Sequence, residues 1–336
     1  HYTAPIGNAE LKKVIAEKVA RFNGIPADPQ RNIIITPGSD SALFFSLIPF
    51  VEHGDEVMIV DPSYPNNFQA VEILGGVPVS VPVRPETGFE LEIEEFERRL
   101  TDKTKLVILT NPNNPTTVVY SRKSLEQLAA FIVKHDLLAI VDQAFEDIVY
   151  DGREMVSLGS LDGMLQKTVT IFSISKGMGL SGFRVGCIVA SDRLIDTLFA
   201  SAVSVVGATN TAAQLAAIAA YGKRDELIAE YSAIFDRRRR FVYEALSDIP
   251  GVRMQMPQSA FLSWIDVSQL GTSDEIVDYL VREAKVFVNS GNCYGSQGEG
   301  YIRLVQGCYA DDADIEQAVL RIREALLNKS RERGIS

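Results

Sequence analysis

Ser173-Ile-Ser-Lys-Gly-Met-Gly-Leu-Ser-Gly-Phe-Arg-Val-Gly186 comes just after an apolar run and sets one lysine, Lys176, between hydroxyls and glycines. A lysine that is reachable and partly desolvated can carry a neutral amine near neutral pH and form a Schiff base with a carbonyl. The hydroxyls of Ser173 and Ser175 and the cation of Arg184, eight residues past the lysine, are groups that hold a phosphate. Each residue alone is ordinary, since most lysines are solvated surface charges and a Ser-Gly stretch is more often a plain loop. Their combination directs the reading.

Outward from this stretch, short β-rich runs alternate with helical patterns. Residues 33–35, 56–60, 105–110, 138–142, 168–174 and 185–190 read as strands, and 41–50, 65–74, 121–135 and 192–202 as helices. That alternation implies a mostly parallel sheet covered on both faces, with ligands bound outside the carboxyl ends of its strands. Residues 36–39, 111–114, Asp142 and Lys176 all fall at such ends. Past about residue 220 the pattern changes to a long charged helix, short strands near 261–267, 286–288 and 301–305, and a final helix from Asp311. The chain therefore divides into a large α/β domain over 1–220 and a smaller α+β domain over 221–336.

At 336 residues and 46% apolar, the chain can bury a large core, and it contains no apolar run long enough to span a membrane. No secretory signal is expected. The net charge of −11 argues against a nucleic-acid partner. The basic run at 237–240 lies in a helical pattern and reads as a solvated helix face. Cys187, Cys293 and Cys308 fit neither a disulfide framework nor a metal spacing, which points to a reducing cytoplasm. None of the three histidines stands where a general base or a zinc ligand is expected. The chemistry must rest on other groups.

The segment 173–186 resembles the lysine motif of the fold-type I pyridoxal-phosphate enzymes, in particular the class I/II aminotransferases, which reads Ser-x-Ser-Lys, a glycine-rich turn, then Arg-x-Gly. The resemblance implies an aspartate aminotransferase-like fold and pyridoxal 5'-phosphate as cofactor. It places the cofactor on Lys176, with its phosphate held by Ser173, Ser175 and Arg184. Further motifs extend it along nearly the whole chain. Asp142, in Val-Asp-Gln-Ala-Phe, aligns with the carboxylate that keeps the pyridine nitrogen protonated, where an isolated Asp could equally be a helix cap. Asn114, in Asn111-Pro-Asn-Asn-Pro-Thr, aligns with the donor to the phenolic oxygen. Gly38-Ser39-Asp40 aligns with the turn whose Ser39 and Asp40 N–H groups bind phosphate. Tyr64 aligns with the ring stacked on the pyridine. Arg303, in Gly300-Tyr-Ile-Arg-Leu-Val, aligns with the arginine that grips the substrate carboxylate in a two-point contact.

Tyr2 aligns with a residue that reaches the phosphate of the neighbouring subunit, which implies a homodimer with shared active sites. The family usually carries an N-terminal arm before this point, so a few tens of residues are expected ahead of Tyr2. One position departs from the pattern: Phe145 stands where the family commonly has a tyrosine donating to the phenolic oxygen. For Asn210 a substrate contact and a helix cap both stay open. The implied activity is transfer of the amino group of an L-amino acid to a 2-oxo acid. Elimination, decarboxylation, cyclisation or oxidation of an amino acid on the same scaffold shares the first carbanion, and a non-catalytic ligand-sensing module is a remote third reading.

Overall fold

The computed structural model describes residues 3–335, so Tyr2 lies outside the described residues. The main sheet has seven strands: β1 (Ile33–Thr36), β2 (Glu56–Asp61), β3 (Val77–Pro82), β4 (Thr104–Thr110), β5 (Leu138–Asp142), β6 (Thr168–Ser173) and β7 (Gly186–Val189). Their spatial order is β1-β7-β6-β5-β4-β2-β3, parallel throughout from β6 to β3, with β7 antiparallel to both of its neighbours. Residues 174–185 join β6 to β7 without a crossover helix, and antiparallel pairing follows.

Both faces of this sheet are covered, which is why its strands read as unbroken Val, Ile and Leu. Val60, Val107, Leu109 and Val141 pack with the helix Arg122–Lys134 on one face. Ile59, Ile108, Ile140 and Ile171 pack with the helices Ser39–Leu47 and Asp192–Val206 on the other. β3 is the strand that the sequence does not announce. Pro78 and Pro82 interrupt its pattern, and the sheet accepts them because β3 is an edge strand.

A second, antiparallel sheet comprises β8 (Arg253–Met254), β9 (Leu262–Asp266), β10 (Asn289–Ser290) and β11 (Tyr301–Val305) in the order β10-β11-β9-β8. The strand expected at 286–288 lies just ahead of β10: Val286 and Val288 are buried but belong to no ladder. The basic run at 237–240 also needs correction, because it is not a solvated face. Arg239 is fully buried, donating to Asp236, Asp151 and the Pro257 carbonyl with its guanidinium over the Tyr150 ring. Arg238 is buried too, donating to Asp312 and to the carbonyls of Gln306, Tyr309 and Ala310. Only Arg237 and Arg240 meet solvent.

Candidate active site

A cavity of about 240 Å³ opens where the carboxyl ends of the parallel strands meet the second sheet. Asp142 ends β5, Lys176 follows β6, Asn114 follows β4, Tyr64 follows β2, and Ser39 and Asp40 open the helix after β1. Arg303 reaches the same space from β11, and Arg184 from the turn before β7. Ser175 and Phe145 complete the expected residues on its wall. Ser173 is buried behind that wall, its hydroxyl accepting from the Ser175 backbone N–H at 3.1 Å. Asn210 lies elsewhere: its side chain caps the helix Thr211–Tyr221 by accepting from the Ala213 N–H at 2.9 Å.

Lys176 sits with Nζ 5.7 Å from the Phe145 ring centroid and 5.8 Å from that of Phe261. No carboxylate lies within ion-pair distance among the described residues. Burial lowers its pKa below the ordinary lysine range, opposed by the charges of Asp142 and Asp40 and aided by those of Arg303 and Arg184. A desolvated amine with a lowered pKa is a competent nucleophile and base.

Asp142 presents the complementary case. Burial pushes its carboxyl up to about 6, although Oδ1 accepts from the Ala144 N–H at 2.9 Å and Lys176 draws it down. No cation pairs with it among the described residues. A buried carboxylate without a counter-charge is costly, and a protonated heterocyclic nitrogen in the cavity would supply one. The cofactor implied by the sequence fits this demand.

The anion end of the cavity is built from backbone. The helix Ser39–Leu47 begins at Gly38 with no side-chain cap, so its first N–H groups stay free. Gly38 has φ +92°, and a Cβ there would also meet the Arg184 guanidinium. A Cβ at Gly186 would fall 2.9 Å from the Ser39 nitrogen, so β7 can pass this turn only with glycine. Arg184 lies across the turn, 3.3 Å from Asp40, whose carboxylate also accepts from Asn66 at 2.8 Å. Free helix N–H groups beside a guanidinium match a phosphate.

Arg303 has only neutral partners, donating to Asn114 Oδ1 at 3.0 Å and Asn289 Oδ1 at 2.9 Å, with its guanidinium 4.9 Å from the Tyr294 centroid. Its buried Nε has no acceptor, and burial lowers its pKa. The site thus holds a cation in want of an anion. Burial also pushes the Tyr64 phenol up to about 12, helped by Asp40 and Asp142, so it remains a neutral ring wall.

Asn289, Tyr294, Phe261 and Thr110 complete the site without being foreseen. Asn289 could have been found only through the β10–β11 register, which sets it opposite Arg303. Phe261 meets Phe145 edge to face at 5.4 Å, and Thr110 accepts from Asn67 at 3.1 Å.

Known proteins resemble this chain in sequence and fold. The family model described as "Aminotransferase class I and II" matches residues 1–322. Aromatic-amino-acid aminotransferase 2 of Thermococcus litoralis and an aspartate aminotransferase of Pyrococcus abyssi are each 35% identical over 335 residues, covering 98% of this chain and 85% of theirs. The crystal structure of an aromatic aminotransferase from Pyrococcus horikoshii superposes with a TM-score of 0.94 at 34% identity, over 99% of this chain and 89% of that one. An aspartate aminotransferase mutant from Thermus thermophilus gives 0.90 at 28% identity, over 97% and 84%. With the family model matching nearly its whole length, the chain belongs to the class I and II aminotransferases.

Proposed function

We propose that this aminotransferase moves the amino group of an L-amino acid to a 2-oxo acid with pyridoxal 5'-phosphate, using Lys176 as attachment point and base. The observation that carries the reading is one cavity holding a cation-free buried carboxylate, a desolvated lysine and a guanidinium without an anion. Bound pyridoxal phosphate supplies the electron sink for charge left at the substrate Cα. Ser39, Asp40 and Arg184 hold its phosphate, with Ser173 and Ser175 supporting them. Asp142 would keep the proton on its pyridine nitrogen, Tyr64 would wall its ring, and Asn114, whose Oδ1 is engaged by Arg303, would have Nδ2 left to donate to its phenolic oxygen. Arg303 binds the substrate carboxylate, and Lys176 Nζ takes the Cα proton.

We assign residues 1–220 to the cofactor-holding domain and 221–336 to the smaller one. The helix Arg224–Leu246 bridges the two, since Phe235 packs with Ile148 and Tyr150 whereas Val242 and Leu246 join the core of the second sheet. A homodimer with Tyr2 completing the partner's site is part of the proposal. Exposed Phe199, Val205 and Val206 on the helix Asp192–Val206 and Leu215 on the next helix are suited to a second copy. Three free cysteines and the absence, among the described residues, of any helix long and apolar enough to cross a membrane agree with a cytoplasmic setting.

The deciding experiment follows the visible absorbance of cofactor-loaded protein as single amino acids are added. Replacement of the visible band by a near-ultraviolet one, with release of the 2-oxo acid, supports the reading. Release of ammonia or carbon dioxide overturns it in favour of another reaction.

Two substitutions test individual roles. Arg303→Gln leaves a substrate carboxylate unpaired in a buried site, so kcat/KM for amino acids should fall about 100- to 1000-fold with the cofactor band unchanged. Amines lacking the carboxylate should react as in the parent enzyme. Phe145→Tyr should add a donor beside Lys176 and lower the pKa read from the visible absorbance titration of the loaded enzyme. A pKa that stays or rises would refute the assignment of this position to the phenolic oxygen.

A further inference from the structure

Asp61, at the end of β2, is fully buried and pairs with no cation among the described residues. Its acceptor capacity is spent on neutral donors from far along the chain. Oδ2 accepts from Ser80 Oγ at 2.5 Å, the Ser296 N–H at 2.9 Å and Ser296 Oγ at 2.7 Å, and Oδ1 accepts from the Gln297 N–H at 3.1 Å. The carboxylate therefore caps, from the main sheet, the helical turn Ser296–Gly298 that leads into β11. Gly295 has φ +114°, and a Cβ there would fall 2.2 Å from Asp61 Oδ1, so the approach requires glycine. A second tether lies two residues on, where the Ser63 N–H donates to the Tyr294 carbonyl at 2.8 Å.

The loop held in this way is stiff and leads directly to the carboxylate site. Gly291 and Gly298 approach so closely that a Cβ on either would meet the other's backbone oxygen at 2.0 Å or less. Tyr294, under the Arg303 guanidinium, belongs to this loop, and Asn289, which accepts from Arg303, immediately precedes it. Tyr64, the ring wall, follows Asp61 by three residues. One short segment of the main sheet thus anchors both the cofactor wall and the support of the substrate clamp.

We propose that Asp61 is a positioning residue for substrate recognition: it latches the 290–298 loop to the main sheet and so sets where Arg303 stands relative to Lys176. The proposal rests on the assignment of Arg303 to the substrate carboxylate. In Asp61→Asn an amide N–H must face donors in either orientation of the side chain, so the latch loosens. KM for amino acid and 2-oxo acid should rise about 10- to 100-fold, as expected for loss of hydrogen bonds to a charged group, with kcat within a few-fold. Ser296→Ala, which removes one donor and keeps the carboxylate, should change KM in the same direction by less.

The discriminating readout compares an amino acid with the corresponding amine lacking its carboxylate, in the loaded enzyme. Asp61→Asn should penalise the amino acid alone and leave the cofactor band unmoved. Equal losses on both substrates, or a fall in thermal stability with KM unchanged in both variants, would make Asp61 a purely structural residue and overturn the proposal. Arg303→Gln is the control: if it also fails to single out the amino acid, the assignment of Arg303 itself is wrong. If it does so and Asp61→Asn does not, only the latch is refuted.

Discussion

On the proposed role of Lys176, Lys176→Ala should abolish covalent attachment of the cofactor and lower the transamination rate by at least about 1000-fold, because a positioned base alone contributes about 100- to 10,000-fold. The expectation rests on a side chain enclosed by Phe145 and Phe261, without an ion-pair partner, whose amine is made easier to deprotonate by burial. A different explanation would make Lys176 a fixed cation balancing Asp142 and Asp40. Lys176→Arg separates the two. Arginine keeps the charge but cannot lose its proton or form the imine, so it should be as inactive as alanine. Borohydride treatment should couple the cofactor to the parent protein and to neither variant. Activity of Lys176→Arg within tenfold of the parent would leave Lys176 with an electrostatic role only.

The sequence reveals this site because its residues lie where apolar runs break. Asp142 ends a strand buried on both faces, and Asn114 and Lys176 lie in the turns just past two others, at the carboxyl ends where such a sheet binds ligands. The helices Arg122–Lys134 and Asp192–Val206 are legible through their apolar period. What stays hidden depends on partners distant in sequence. Four consecutive arginines look alike on a helix, yet Arg238 and Arg239 are buried because carbonyls and carboxylates from residues 151, 257, 306 and 312 converge on them. Asn289 has no local signature, and its place beside Arg303 exists only in the β10–β11 pairing. Asp61 falls just past the run 56–60 that reads as a strand, and only the fold shows that it holds a loop 235 residues away.

Asp142→Asn should lower kcat/KM about 1000-fold and, at the same time, stabilise the cofactor-free protein. The loss follows from the pairing that a pyridinium would make with the buried carboxylate: breaking such a pair from one side costs about 3–5 kcal/mol. The gain follows from the same burial. Because the folded-state pKa is raised to about 6, the folded protein binds this proton more tightly than the unfolded chain, and stability from this group declines as pH rises from about 4 to about 6. Above that window the full cost, about 3 kcal/mol, is present. Asparagine never ionises and keeps the acceptor for the Ala144 N–H, so it removes the cost without removing the turn. Thermal unfolding of the cofactor-free variant at neutral pH should therefore occur about 4 °C above the parent, on the usual entropy of unfolding for this length, with the two converging near pH 4. Were Asp142 only a turn residue, asparagine would alter the pH dependence of stability through the same burial but leave activity unchanged, and unchanged activity would remove it from the catalytic assembly.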